Sequence, residues 1–285
     1  MLREPGIRLS VKPAGAWSAD GPLADRALDY AFQFSRSLAQ EQPFQITVER
    51  CAPEHAGLGT GTQLGLAVAR ALAVNWQRSD MNAVELARQI GRGRRSALGI
   101  HGFDRGGFLV DGGKGPDTVI APLVARLEFP QTWHIVLVMR NGAQGLHGVL
   151  ENRAFERRPA KNQPTETLCR LVLLGILPAL AEGDLPAFGE GLYEFNRQVG
   201  QMFRPLQSGT YADRRCEEIV AFVRRQKVAA AGQSSWGPTV FAIAESDRAL
   251  VLAARIRQEF GLSTEEVIIT QGDNEGASTG CISRV

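Results

Sequence analysis

The chain has almost no net charge, few cysteines in no pairing pattern, and no apolar run long enough to cross a membrane. Each shortage removes a class of function. With 32 Lys+Arg against 30 Asp+Glu, the formal charge is +2 over 285 residues. No global field recruits nucleic acid or an anionic bilayer, so any anion site must be local. The longest apolar stretch, residues 168–180, is interrupted by Arg170 and Pro178. It falls short of the ~20 residues of a membrane span and predicts a buried helix instead. Residues 1–11 carry Arg3, Glu4 and Arg8 and lack the apolar core of a secretory signal. The expectation is a cytoplasmic protein with no nucleic-acid or membrane partner. Cys51, Cys169, Cys216 and Cys281 form no CxxC pair, and His55, His101, His134 and His147 show no HxxxH or HExxH spacing. That pattern argues against zinc and for buried free thiols, with His134 structural in a strand.

What is present is an ordinary globular composition, 44% hydrophobic and 22% charged, long enough for one large or two modest cores. Residues 7–11 and 44–50 alternate as strands, and residues 23–40 carry apolar side chains at helical spacing. Helices are predicted over 64–74 and 83–90, and strands over 108–110, 118–127 and 135–139. A glycine-rich loop is expected at 141–148. From 165 to 199 the pattern is helical, followed by a helix over 213–225, a strand over 239–244, a helix over 247–260 and a strand over 266–270. The charged, Pro-containing segment 151–164 suggests a boundary between domains spanning 1–155 and 156–285.

Three segments carry the chemistry. In Pro53-Glu54-His55-Ala56-Gly57-Leu58-Gly59-Thr60-Gly61-Thr62-Gln63, three glycines and two hydroxyls stand directly before a helix. Gly57, Gly59 and Gly61 allow close backbone approach to a phosphate, and the amides and dipole of the helix start favour an anion there. Thr60 and Thr62 can add hydroxyl donors or reach a phosphate-bound metal ion. In the second segment, Arg92, Arg94 and Arg95 lie among Gly91, Gly93 and Ser96, a loop whose guanidiniums suit phosphate recognition. In the third, Gln233, Ser234 and Ser235 offer donors on a tight loop, and Trp236 supplies either a flat wall for an aromatic substrate or a core side chain.

Pro-x-x-x-Gly-Leu-Gly with its hydroxylic residues resembles the phosphate loop of the GHMP kinase superfamily. The blocks Gly91 to Phe103, Gly106 to Gly113 and Gly232 to Thr239 resemble one branch of it, the β-ribofuranosylaminobenzene 5′-phosphate synthase family. The resemblance implies a two-domain α+β fold, an N-terminal mixed α/β domain followed by a C-terminal ferredoxin-like α+β sandwich. It implies decarboxylating transfer of phosphoribosyl from phosphoribosyl pyrophosphate to 4-aminobenzoate or 4-hydroxybenzoate, in tetrahydromethanopterin biosynthesis. Such a reaction implies Mg2+ with the pyrophosphate, although no ligand motif identifies its ligands; small molecules are the expected partners, and a homodimer is compatible with the sequence. Asp104 and Asp111 are the nearest carboxylates for a metal or the cationic ribose, and His101 is a candidate acid or base, which makes these three the catalytic candidates. An ATP-dependent small-molecule kinase is the first alternative. Against it, the superfamily's Ser-Gly-x-Asp pattern here reads Ser96-Ala97-Leu98-Gly99, without the aspartate. Members of the synthase family also carry an Arg-Leu-His-Phe-Gly motif ahead of the part that aligns with residues 1–6. That motif is not in this sequence, so a catalytically inactive phosphate-ligand binder is the second alternative.

Overall fold

The structure, a computed structural model, describes residues 1–94, 96–143, 165–207 and 209–281. The chain forms two compact units. The first comprises Met1–Ala52, Gly59–Glu128 and the chain from Asp273; the second comprises Pro53–Leu58 and the described part of Phe129–Gly272.

In the first unit, β1 (Arg8–Pro13), β2 (Ser18–Asp20), α1 (Ala24–Ser37) and β3 (Phe44–Arg50) come first along the chain, and the strands form a sheet in the order β1-β3-β2. β1 runs antiparallel to β3, with Val11 opposite Ile46, and β2 runs parallel to it, the two joined through α1. Alternation along β3 sends Phe44, Ile46 and Val48 inward. There they meet Tyr30, Ala31 and Phe34 of α1 and Leu64, Val68 and Leu72 of α2 (Thr60–Asn75). Burying a side chain the size of Phe34 or Phe44 contributes about 1.5–3 kcal/mol. The unit continues with α3 (Ala83–Gln89), α4 (Leu98–Arg105) and an antiparallel pair, β4 (Phe108–Asp111) and β5 (Leu123–Leu127).

Helix α2 begins four residues earlier than its apolar periodicity suggests, so the threonines and Gly61 are its first turn and not a preceding loop. Helix α4 was not among the expected elements. Gly99 and Gly102 dilute its periodicity, but Ile100 and Phe103 are buried and hold it to the core. The strand expected over 118–127 is confined to Leu123–Leu127.

The second unit is a four-stranded antiparallel sheet of β6 (Trp133–Val138), β7 (Ala230–Gln233), β8 (Val240–Glu245) and β9 (Val267–Gln271), in the order β7-β8-β6-β9. Val136, Val138, Val240, Ala242 and Ala244 pack against the apolar stripes of α8 (Arg214–Arg225) and α9 (Ser246–Phe260). Trp133, out of phase with that face, meets Phe188 at 5.1 Å between ring centroids. Phe188 lies on α7 (Leu185–Phe203), which follows α5 (Thr165–Leu171), a π-helical turn (Val172–Ile176) and α6 (Leu177–Glu182). The arrangement is the expected α+β layering.

Three expectations change. The compact units do not divide at residue 155, because β6 pairs with both β8 and β9 and so belongs inside the second sheet. The segment 151–164 itself lies outside the described residues. The apolar stretch 168–180 is not a buried helix: Leu173 and Leu174 are 65% and 69% exposed, while Ile176, Ala179 and Leu180 are buried. A π turn widens the helical repeat and rotates the apolar stripe past the face that packs. The cysteines are free, but only Cys216 is buried; Cys51 is half-buried, and Cys169 and Cys281 are exposed. The loop expected at 141–148 lies outside the described residues from 144 onward. No helix among the described residues is long and apolar enough to cross a membrane.

Candidate functional site

The first unit gathers positive charge at the start of α2. Its N-cap is Gly59 at φ 70°, a left-handed conformation that glycine adopts without strain, and no side chain caps the helix. A serine or aspartate at this point could cap the helix with its side chain; glycine cannot. The Gly59 carbonyl accepts from Thr62 N at 2.9 Å and Gln63 N at 3.1 Å, and the first turn contains no acidic residue. Thr60 is buried.

Two guanidiniums converge on that turn. A Cβ on Gly61 would stand 2.5 Å from Nη2 of Arg26 and 3.4 Å from Nη2 of Arg92. Tyr30 organises both: the Arg92 guanidinium carbon lies 5.0 Å from its ring centroid and that of Arg26 lies 5.9 Å away. Arg26 Nε also donates to the Tyr30 hydroxyl at 3.3 Å. Two guanidiniums beside the positive end of a helix dipole make this a locally electropositive place. Arg26 was not identified from sequence. Its only local signal is the four-residue spacing to Tyr30, and its proximity to Gly61 is tertiary. The Cys51 thiol is pushed up by burial, against the lowering field of Arg26.

Arg94 is exposed, and Arg95 lies outside the described residues. Lys114, also missed from sequence, donates through Nζ to the Gly93 carbonyl in the same loop. Partial burial lowers its pKa, and the Asp111 carboxylate works in the opposite direction.

The three catalytic candidates have other contacts. Asp104 accepts from Arg70 Nη2 at 2.8 Å and from the Ala83 amide at 2.6 Å, so it ties α4 to α2 and to the start of α3. Asp111 accepts from the Ala97 amide and the Gly113 amide, each at 3.2 Å. Ser96 Oγ accepts from Leu98 N at 3.2 Å, so Ser96 and Asp111 together satisfy the entry to α4 and Ser96 is not directed at a phosphate. His101 Nε2 lies 2.9 Å from the Ala121 carbonyl, which fixes it as the protonated nitrogen of that contact. Among the described residues no three His, Cys, Asp or Glu side chains are grouped to hold a metal ion. Asp104 and Asp111 each accept from protein donors, and neither is grouped with further ligand side chains among the described residues.

Gly99, at the position where the superfamily pattern has an aspartate, has one tight side-chain neighbour. Its missing Cβ would point to Nε2 of Gln63 at 3.1 Å, and the same nitrogen donates to the Gly99 carbonyl at 2.6 Å.

In the second unit, residues 53–58 lie against the turn 233–239. Ser234 Oγ donates to the Gly57 carbonyl at 2.8 Å. Gln233 is 5% exposed and fully engaged: its Oε1 accepts from Ala212 N at 2.6 Å, its Nε2 donates to Ser235 O at 3.0 Å, and its backbone exchanges bonds with Asn196. Trp236 is buried against Phe203, with ring centroids 4.6 Å apart. Gln233 and Trp236 are thus fold residues in this unit and not donors or walls open to substrate. Ser235 is exposed, with φ 54°.

This fold, with an uncapped helix start at its glycine loop, defines a GHMP kinase-type protein. Residues 23–109 match the family described as GHMP kinases N terminal domain, and residues 176–261 match GHMP kinases C terminal. Among solved structures, the chain is similar to Lactococcus lactis galactokinase complexed with galactose (TM-score 0.66, 13% identity, 96% of this chain and 87% of that one). It is also similar to L. major mevalonate kinase in complex with R-mevalonate (TM-score 0.65, 15% identity, 95% and 87%). At such identities these likenesses establish the fold alone. A beta-ribofuranosylphenol 5′-phosphate synthase of Methanothermobacter thermautotrophicus is 30% identical over 276 residues, 91% of this chain and 82% of the relative. Another of that name, from Archaeoglobus fulgidus, is 30% identical over 295 residues, 96% and 88%. The chain belongs to the β-ribofuranosylphenol 5′-phosphate synthase family of enzymes, within the GHMP kinase superfamily.

Proposed function

We propose that this enzyme transfers phosphoribosyl from phosphoribosyl pyrophosphate to 4-hydroxybenzoate or 4-aminobenzoate with loss of carbon dioxide, a step suited to tetrahydromethanopterin biosynthesis. The observation that carries the reading is the pair Arg26 and Arg92 beside the uncapped start of α2. A pyrophosphate placed there meets two guanidiniums and the positive end of the helix dipole together, and these stabilise the charge that builds as it leaves. Mg2+ belongs to the substrate in this reading, arriving as the counter-ion of the pyrophosphate. The acceptor is the choice the relatives' name favours, a phenol.

The electron balance explains what the site can do without. The ring carbon bearing the carboxylate bonds to the ribose anomeric carbon, and the bond to pyrophosphate breaks with its electron pair on oxygen. The ring–carboxylate bond then breaks, its pair restores aromaticity, and carbon dioxide departs. No proton is gained or lost at the ring. A reaction of this kind does not require His101 or Asp104 as acid or base, which agrees with their contacts to Ala121, Arg70 and Ala83.

Kinase action is disfavoured by Gly99, which carries no carboxylate where the superfamily pattern has an aspartate. The test is pyrophosphate formation followed by 31P NMR with donor, Mg2+ and each benzoate. Formation that requires a benzoate supports the reading. ATP consumption with a small alcohol and none of the donor would support the kinase; binding of pyrophosphate without turnover would support an inactive binder.

A further inference from the structure

We propose that Tyr30 is a positioning residue for the anion site. Its hydroxyl holds Arg26 and its ring holds Arg92, so one buried side chain sets the spacing at which the two guanidiniums meet a pyrophosphate. The inference rests on the reading of the α2 start as the pyrophosphate site, and every residue in it belongs to the first unit.

Three observations carry it. First, Tyr30 is fixed by packing: it is buried in the core with Ala27, Ala31 and Phe34 of its own helix. Its ring rests on α2 at Gly65, where a Cβ would come within 3.2 Å of Tyr30 Cδ1 and Cε1. Second, the arginines reach it from different elements and use different parts of it. Arg26 stands one turn before Tyr30 on α1 and donates through Nε to the hydroxyl at 3.3 Å. Arg92 follows α3, with its amide anchored on Ala87 O at 2.8 Å, and its guanidinium carbon lies 5.0 Å from the ring centroid, within cation–π range. Third, both guanidiniums come close to Gly61, which shares a face of α2 with Gly65 one turn further on. Two long side chains of like charge, left to themselves, spread over separate rotamers. A shared aromatic anchor removes that freedom before the ligand arrives, which favours binding by about two- to tenfold for each arginine so held.

The experiment compares Tyr30→Phe, Tyr30→Leu, and Tyr30→Phe in an Arg26→Gln background with the wild-type full chain. The readouts are 15N NMR of the arginine Nε–H groups and calorimetric titration with inorganic pyrophosphate, each beside a thermal melt. Tyr30→Phe keeps the ring, so the Arg26 Nε–H signal should shift and exchange faster with water while that of Arg92 stays, and pyrophosphate should bind about two- to tenfold more weakly. Tyr30→Leu should disturb both signals and weaken binding by about five- to a hundredfold, the two effects multiplied. In the Arg26→Gln background Tyr30→Phe should have no further effect. An unchanged Arg26 signal or unchanged affinity in Tyr30→Phe would overturn the inference. So would an undiminished effect in the Arg26→Gln background, which would mean that the hydroxyl meets the ligand itself. Should Tyr30→Leu fail to fold, the phenylalanine variant and its Arg26→Gln cycle decide alone. A wild-type chain that binds pyrophosphate but releases no product defeats the synthase reading only; one that binds no pyrophosphate overturns the inference together with the site.

Discussion

Gly61→Ala separates the stability of α2 from its proposed use as an anion site. Gly61 stands in the first turn of α2 in an ordinary backbone conformation, so alanine fits the helix. Alanine is favoured there by up to about 1 kcal/mol, the interior-helix value and hence an upper bound for a first turn. The added Cβ would lie 2.5 Å from Arg26 Nη2, 3.0 Å from Arg26 Cζ and 3.4 Å from Arg92 Nη2. Carbon contacts settle near ~3.5 Å, so the Arg26 guanidinium must withdraw by about 1 Å. It can do so cheaply because it is the far end of a flexible side chain. A charge-assisted hydrogen bond does not survive that displacement, and losing one costs about 1.5–3 kcal/mol. The expected result is a Tm unchanged or slightly raised and pyrophosphate affinity reduced by roughly ten- to a hundredfold, read by calorimetric titration and a thermal melt. Unchanged affinity in a well-folded variant would refute the convergence of Arg26 and Arg92 on the ligand. A large fall in Tm would refute the claim that glycine is there for the ligand and not for the fold.

Further outcomes follow from individual contacts. Asp104→Asn should lower the unfolding free energy by about 1–3 kcal/mol, since it leaves the largely buried Arg70 without its anion, and should change kcat little; urea denaturation beside steady-state kinetics checks this, and a collapse of kcat at full stability would return Asp104 to catalysis. Burial pushes the Cys216 thiol up to about 11, so thiol titration of the native protein at neutral pH should label Cys169 and Cys281 quickly, Cys51 slowly and Cys216 only in denaturant. Burial alone would raise the Asp213 carboxyl, but hydrogen bonds from Arg140 and the Cys216 amide hold it below its ordinary 3.8. Its contribution to stability is therefore present above that value and lost as pH falls through the lower folded one. The urea midpoints of wild type and Asp213→Asn should be well separated near neutral pH and draw together as pH falls below 3.8; a gap that does not change with pH would contradict the assignment.

The sequence disclosed elements where local chemistry and tertiary use agree. The alternation from Phe44 to Arg50 is the β3 strand to the residue, and Asp213 is the cap of the helix it precedes. The glycine-and-threonine segment was legible as the approach to a helix start because helix starts and glycine conformations are local properties. Long-range contacts were not legible. Arg26 reads as one more polar residue on the outer stripe of α1 until the fold places Gly61 beside it. Gln233 and Trp236 sit in a loop-like sequence, but Ala212, Asn196 and Phe203 come to them from distant segments and take up their polar and aromatic surfaces. Asp104 resembles a site carboxylate because its neighbours are glycines and His101; only the packing of α4 shows that it caps α3. The sheet membership of β6 was hidden for the same reason, since pairing partners a hundred residues away leave no local trace.

The measurement that tests the central claim most directly is release of labelled carbon dioxide from carboxyl-labelled 4-hydroxybenzoate, and in parallel from 4-aminobenzoate, by the purified chain with Mg2+ and phosphoribosyl pyrophosphate. Release that requires both the donor and the benzoate, and that falls at least tenfold at subsaturating donor with Arg26→Gln, is the predicted result. No release from either benzoate, under conditions where an authentic relative is active, would contradict the account.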